Sequence, residues 1–342
     1  MTTGYVYDPL YLEHDSSTHP ENKRRLEQTL AYLHEAGFLE RMHPIAARDA
    51  SLDELSAVHD PGYIARLQGT AVAGGGWLDP DTYVGNRSYD AAVRAAGGLL
   101  AAVEAVLTGD VDNAFALVRP PGHHALASRG MGFCLFNNIA VAARHALRHE
   151  GLQRVLIVDY DLHHGNGTQD AFYQEAEVLY FSTHQFPYYP GTGHWKETGR
   201  GAGEGYTVNV PLPAGVGDEG YQRVFEQVLM PVAMRYRPQL ILASAGYDAH
   251  WRDPLGMMRL SVSGYASLAR RLVDLAGECC GGRLVITLEG GYNLEALALC
   301  VGATFSMLLG DKDVHDPLGP ARGSEEPVDA VIQAVRELHQ LG

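Results

Sequence analysis

Short β-branched apolar runs alternate along this chain with longer Ala- and Leu-rich stretches whose apolar residues recur at helical spacing. The short runs cover 113–118, 154–159, 178–182, 239–245 and 283–288, and near-continuous apolar character over so few residues predicts strands buried on both faces. The longer stretches 89–107, 137–149, 220–236 and 263–276 predict helices, the last capped by Ser261 or Ser263. Strands that alternate with helices build a mostly parallel sheet with helices on both faces. The Asp-, Gly- and Pro-rich stretch 311–327 reads as a surface loop before a terminal helix over 328–341. Two further loops, 77–87 and 185–205, are long enough for functional work at the surface. With no repeat and no composition shift to mark a boundary, residues 1–342 are expected to form one α/β domain.

Composition narrows the class. Hydrophobic residues make up 46% and charged residues 20%, the balance of a globular protein with a large core. Cys134, Cys279, Cys280 and Cys300 follow neither zinc-ribbon nor disulfide spacing, which points to a reducing, cytoplasmic setting. The start MTTGYVYDPLYLEHD lacks the basic-then-apolar pattern of a leader, and no apolar stretch is expected to be long enough to span a bilayer. A formal charge of −15 argues against direct binding of nucleic acid and biases the surface towards cationic substrates. Homo-oligomerisation is left open.

Ligands of an open parallel sheet bind beyond the carboxyl ends of its strands, so the residues that follow each predicted strand carry the functional information. After FALV comes RPPGHHA with His123 and His124; after RVLIV comes DYDLHHGNGTQ with Asp159, Asp161, His163 and His164. After LILASA comes GYDAH with Asp248, and after LVITLE comes GGYN with Tyr292. Asp161 and His163 alternate with other residues, so at a strand end both side chains can face one side. With Asp248 they would supply three ligands to a catalytic zinc ion and leave a position open for water. Adjacent histidines in a Gly/Pro-bounded turn suit acid–base work better than core packing.

RPPGHHA, GFCLFNN, DYDLHHGNGTQ, YPGTG, GYDAHWRDPLG and LEGGYN together resemble the histone deacetylase family, over a span from about Gly4 to Leu309. The resemblance is closest to the class II branch with its bacterial histone deacetylase-like amidohydrolases and acetylpolyamine amidohydrolases. It implies the arginase/deacetylase fold, one α/β domain around an open eight-stranded parallel sheet. It also implies one zinc ion (Zn2+) per chain on Asp161, His163 and Asp248, and an acid–base pair His123 and His124 held by Asp159 and Asn166. Because an ionised partner raises a histidine's basicity more than an amide does, His124 is the expected general base and His123 the more cationic helper. By the same resemblance Tyr292 donates to the oxyanion, Phe133 and Tyr189 wall the acyl-lysine tunnel, and the Gly132 carbonyl accepts the substrate amide. A structural potassium ion (K+) is implied at Asp159, Asp161, the His163 backbone, Ser182 and Thr183, with a second cation near Phe172.

The expected partners are acylated lysine peptides or proteins, or acetylated polyamines. Leu255 in WRDPLG stands where polyamine-selective relatives are expected to carry a glutamate, which favours acyl-lysine. A binuclear manganese ureohydrolase would need a second Asp where His250 stands. A catalytically silent acyl-lysine binder is opposed by the complete catalytic set.

Overall fold

The computed structural model describes residues 2–148 and 152–342. Eight parallel strands form the main sheet: β1 (Thr3–Val6), β2 (His43–Ile45), β3 (Asn113–Ala116), β4 (Val155–Asp159), β5 (Val178–Gln185), β6 (Thr207–Leu212), β7 (Leu240–Ala245) and β8 (Leu284–Leu288). Their order across the sheet is β2-β1-β3-β8-β7-β4-β5-β6. All five predicted strands are present, with ends moved by one to three residues. The runs omitted from the sequence reading were β1, β2 and β6: β1 and β2 are very short, and Pro211 interrupts the apolar signal of β6. A small antiparallel ribbon, Gly76–Trp77 with Tyr83–Val84, lies where 77–87 was expected to be loop alone.

Helices Ser88–Thr108 and Asn138–Arg148 pack on each other and on the central strands. Helices Val262–Cys280, Leu294–Leu308 and Arg24–Glu35 form a second group that meets some of the same strands, which puts the two groups on opposite faces. The residue at which 137–149 was predicted to end, His149, lies outside the described residues. Ser261 is the cap of Val262–Cys280, its hydroxyl accepting from the Gly264 N–H at 3.0 Å. The predicted helix 220–236 is one continuous helical path from Asp218 to Tyr236 with a π turn at Phe225–Leu229. The terminal helix is Asp329–Leu338, and 311–327 contains neither helix nor strand.

One expectation is corrected. Ser88–Thr108 is long and apolar enough to cross a membrane, yet 78% of its most apolar window is buried, the mark of a core helix against a sheet. Its small residues Ala91, Ala92, Ala95 and Ala96 let it sit close to its neighbours.

Beneath the carboxyl rim of the sheet lies a buried ion network. The Glu21 carboxylate accepts from Arg119 Nε at 2.5 Å and Nη2 at 2.7 Å, and from Arg25 Nη1 at 3.0 Å; all three side chains are fully buried. Burial alone would raise this carboxyl, but Arg119, His14 and Arg25 hold it well below the usual range. Removing one partner from such a network strands the other charges in a medium that solvates them poorly. Glu21→Ala is expected to lower unfolding free energy by about 3–5 kcal/mol in denaturant titrations; a change under about 1 kcal/mol would show that the network contributes little net stability.

Candidate active site

Four adjacent strands in the middle of the sheet, β3, β8, β7 and β4, deliver the four chemistry-bearing segments to one rim. There the ligand atoms of Asp161, His163 and Asp248 lie within 4.8 Å of one another. His163 Nδ1 is 3.2 Å from Asp161 Oδ1 and 3.2 Å from Asp248 Oδ2. Asp161 Oδ2 accepts from the Gly290 N–H at 2.9 Å, and Asp248 Oδ1 from the Leu162 N–H at 3.0 Å. Asp248 Oδ2 is buried and accepts no hydrogen bond. A desolvated carboxylate oxygen that accepts no hydrogen bond and has only the His163 imidazole at 3.2 Å to answer it, beside a second carboxylate, belongs to a donor set that a divalent cation fits. Gly290 makes the convergence sterically feasible, because a Cβ there would collide with the carboxylates of both Asp161 and Asp248.

Burial opposes charge on His163, but the Asp161 and Asp248 carboxylates outweigh it and lift its proton affinity to about 9. Asp248 is itself pushed up by burial and by the charge of Asp161. His250, at the position where a two-metal enzyme is expected to carry a second Asp, lies outside this trio; its Nδ1 accepts from the Arg252 N–H at 3.1 Å and its ring stacks on Trp251.

The histidine pair sits next to the trio. His123 Nδ1 is 3.1 Å from Asp159 Oδ2, and His124 Nδ1 is 2.8 Å from Asn166 Oδ1. Burial lowers the basicity of His123, yet the Asp161 and Asp159 carboxylates overcome it and raise the group to about 10. His124 goes the other way, held well below the usual value first by burial and then by the charges of His123 and His163. Their turn is seated by Glu289, absent from the sequence reading: Oε2 accepts from the Gly122 N–H at 2.7 Å and the His123 N–H at 3.3 Å, and Oε1 from Ser244 Oγ at 2.9 Å. Burial, despite these donors, pushes Glu289 up to about 7.

Above the histidines opens a pocket of about 220 Å³, lined by Gly132, Phe133, Tyr188, Tyr189, Leu255 and Tyr292. Phe133 meets Tyr292 edge-on at 5.7 Å, and Tyr189 meets His124 edge-on at 5.2 Å, so the two aromatics predicted as walls both border the reactive groups. Tyr188 was missed, although it stacks on His163 at 5.7 Å and donates its hydroxyl to the Leu255 carbonyl at 2.9 Å. Asp81 also lines the pocket, with its carboxyl raised by burial and by Asp79. The paired tyrosines in FPYYP and the acidic DPD loop were the available signals for these residues.

Of the residues linked to potassium, Ser182 pairs in register with Asp159 across β4 and β5. Strand alternation sends the side chains of Ser182 and Thr183 to opposite faces. Ser182 Oγ lies 2.9 Å from His184 Nδ1, whereas Thr183 Oγ1 is buried without a partner. Phe172 is buried with the Arg144 guanidinium 4.6 Å from its ring centroid. A separate group, Glu54, Glu104 and His145, also has metal-like spacing, but Arg48 Nη2 already sits 2.7 Å from Glu54 and 2.6 Å from Glu104.

A parallel α/β sheet carrying an Asp/His/Asp trio, two histidines and a tyrosine on one rim defines a hydrolytic enzyme class. Residues 19–308 match the histone deacetylase domain model. The chain is 46% identical over 298 residues to a probable deacetylase of Archaeoglobus fulgidus, covering 86% of this chain and 82% of that one. It is 40% identical to the histone deacetylase-like amidohydrolase of Pseudomonas aeruginosa over 92% of this chain and 82% of the relative. To the human polyamine deacetylase HDAC10 it is 40% identical, over 92% of this chain and 48% of that longer one. The crystal structure of the HDA15 HD domain superposes with a TM-score of 0.91 at 39% identity, covering 99% of this chain and 94% of the other. The chain therefore belongs to the histone deacetylase family and is a hydrolase of the deacetylase type.

The opposite shifts of the two histidines have a direct readout. In metal-free protein at pH 7, ring 15N NMR is expected to show His123 doubly protonated and His124 neutral. Because the folded-state value of His123 is raised, its stabilising pairing is complete below its unfolded value, about 6.5, and is lost as pH rises through about 10. Asp159→Asn should move the His123 titration downward; an unmoved titration would remove Asp159 as a cause.

Proposed function

We propose that this protein is a zinc-dependent deacylase that removes acetyl and other short acyl groups from lysine side chains. The observation that carries the reading is one apolar pocket in which His123, His124 and Tyr292 border an Asp/His/Asp trio whose Asp248 Oδ2 is buried and accepts no hydrogen bond. Asp161, His163 and Asp248 would hold one zinc ion. When bound, zinc supplies Lewis acidity that lowers the pKa of a coordinated water towards neutrality and polarises the acyl carbonyl.

The protein's own groups do the rest. His124, kept neutral and oriented by Asn166, takes the proton of the attacking water. His123, kept cationic by Asp161 and Asp159, stabilises the negative charge that develops, and one of the two histidines returns a proton to the departing lysine amine. Tyr292 donates its hydroxyl to the oxyanion, while Phe133 and Tyr189 exclude water from the lysine methylenes and the Gly132 carbonyl accepts the substrate N–H. A potassium ion at Asp159, Asp161, the His163 backbone, Ser182 and Thr183 would offset the negative charge under the site. This assignment rests on the family, as does the second cation near Phe172.

A polyamine substrate has one observation in its favour: the Asp81 carboxyl lines the pocket and could meet a distant ammonium. Leu255 weighs against it, since a cation beside that side chain would lose water without gaining a partner.

Three experiments test the reading. Chelation should abolish turnover of an acetyl-lysine peptide and zinc should restore it, while Tyr292→Phe should lower kcat by roughly two to three orders of magnitude with little change in KM. Turnover that survives complete removal of metal would overturn the chemistry. The ratio of kcat/KM for acetyl-lysine peptide over acetylspermidine should exceed one in the wild type and fall by about tenfold or more in Leu255→Glu; a wild-type preference for the polyamine, or an unmoved ratio, would reverse the substrate assignment.

A further inference from the structure

We propose that Asp253 is the positioning residue that sets Tyr292 and ties its placement to the Leu255 wall of the pocket. The inference rests on the reading of Tyr292 as the donor to the oxyanion.

Asp253 is 6% exposed, and its carboxylate bridges two loops. Oδ2 accepts from the Tyr292 N–H at 2.6 Å and the Asn293 N–H at 3.0 Å; Oδ1 accepts from the Leu255 N–H at 3.0 Å. Its own N–H donates to the His250 carbonyl at 2.8 Å, which fixes the base of the bridge to the segment that carries Asp248. Among the described residues no basic side chain is ion-paired with it. A buried carboxylate needs compensation, and three backbone N–H groups supply part of it, while burial and the charge of Asp248 still push Asp253 up to about 7. Two of those groups belong to the residues just before helix Leu294–Leu308, whose N-terminus favours negative charge. A carboxylate whose hydrogen-bond donors are main-chain groups specifies where the main chain runs.

The turn that bears Tyr292 needs such a hold. Gly290 and Gly291 precede it, and Gly291 has φ +117°, a conformation that residues with a Cβ rarely adopt, so neither residue has a side chain with which to brace the turn. Its carbonyl side is gripped by Arg25, which donates from Nε to Gly291 O at 2.7 Å and from Nη2 to Glu289 O at 2.5 Å. Asp253 grips the N–H side. With that carboxylate gone, the Tyr292 and Asn293 N–H groups would lose their partner, and on that side only Asn293 Nδ2, 3.2 Å from the Arg252 carbonyl, would still tie the turn to the Asp253 loop. Misplacing a reacting group by an ångström can cost about a hundredfold in rate. The second oxygen, on Leu255, places the pocket wall and the tyrosine in one register, so that a chain seated against the wall meets the hydroxyl at a set height.

The test is a double-mutant cycle on an acetyl-lysine peptide with wild type, Asp253→Asn, Tyr292→Phe and the pair, each checked for zinc content and Tm. Asn keeps the size and one acceptor oxygen. Asp253→Asn is expected to lower kcat by about tenfold or more while KM stays within about twofold. In the Tyr292→Phe background the same change should cost less than about twofold, because the hydroxyl it places is already absent. A merely structural brace would cost the same in both backgrounds, and that result overturns the inference. So does an Asp253→Asn enzyme with wild-type kcat when Tyr292→Phe is impaired. A Tyr292→Phe enzyme with wild-type kcat overturns the reading of Tyr292 and this inference with it. Asp253→Glu, which keeps the charge and displaces it by one methylene, carries the same expectations and stands in if the Asn variant does not fold.

Discussion

The site depends on a concentration of buried negative charge. Glu21, Asp159, Asp161, Asp248, Asp253 and Glu289 are all buried around the carboxyl ends of the central strands. A carboxylate taken out of water is costly unless its oxygens meet donors or a cation. Glu21 is matched by two guanidinium groups and Asp159, Asp161 and Asp248 by the imidazoles of His123 and His163, while main-chain N–H groups also donate to Asp161, Asp248, Asp253 and Glu289. Those donors come from different loops: Gly122 from the loop after β3, Leu162 from the loop after β4, Tyr292 from the loop after β8. Satisfying the carboxylates therefore fixes the loops against one another.

Main-chain donors fix position, while the imidazoles of His123 and His163 answer part of the charge, so the field around the site is uneven. His123 and His124 are neighbours in sequence and their rings are 4.0 Å apart, yet one is driven up to about 10 and the other well below its ordinary value. The difference arises from what each ring faces. His123 looks onto Asp159 and Asp161, while His124 has an amide partner and two other imidazoles nearby. Two like side chains with opposed protonation at one pH are what acid–base chemistry requires.

Much of this was legible in the sequence, for a physical reason. Strands buried on both faces must be apolar, so a titratable residue just after such a run stands out, and the runs before His123, Asp161, Asp248 and Tyr292 are the four central strands. The residues that escaped notice, Glu289, Asp253 and Arg25, act on backbone atoms, and a backbone partner leaves no side-chain pattern to read. Glu289 had a faint signal, a lone acid that ends the apolar run LVITL. Tyr188 and Asp81 depend on how loops fold back over the pocket, which strand and helix periodicity does not describe. The outer strands β1 and β2 were too short to announce themselves, and β6 contains a proline.

The pocket wall shows where the chain accepts local cost. Three non-glycine residues among those described have positive φ: Phe133, Arg237 and Gln340. Arg237 caps helix Met230–Tyr236 and Gln340 lies just beyond helix Asp329–Leu338, positions where a left-handed residue helps a helix to end. Phe133, at φ +69°, ends no helix. Its N–H donates to Thr82 Oγ1 at 3.0 Å, and the flanking Met131 and Cys134 exchange backbone hydrogen bonds at 3.1 and 3.0 Å, so the strained turn is closed on itself and pinned from outside. A residue held in that region costs of order 1–3 kcal/mol and persists only where its surroundings over-determine it. Here the return is orientation, since the turn aims the Phe133 ring edge-on at Tyr292 while Gly132 passes close to His124. The same turn therefore carries both the Phe133 face of the pocket and the close approach of Gly132 to His124, so the strain and the shape of the wall are one feature.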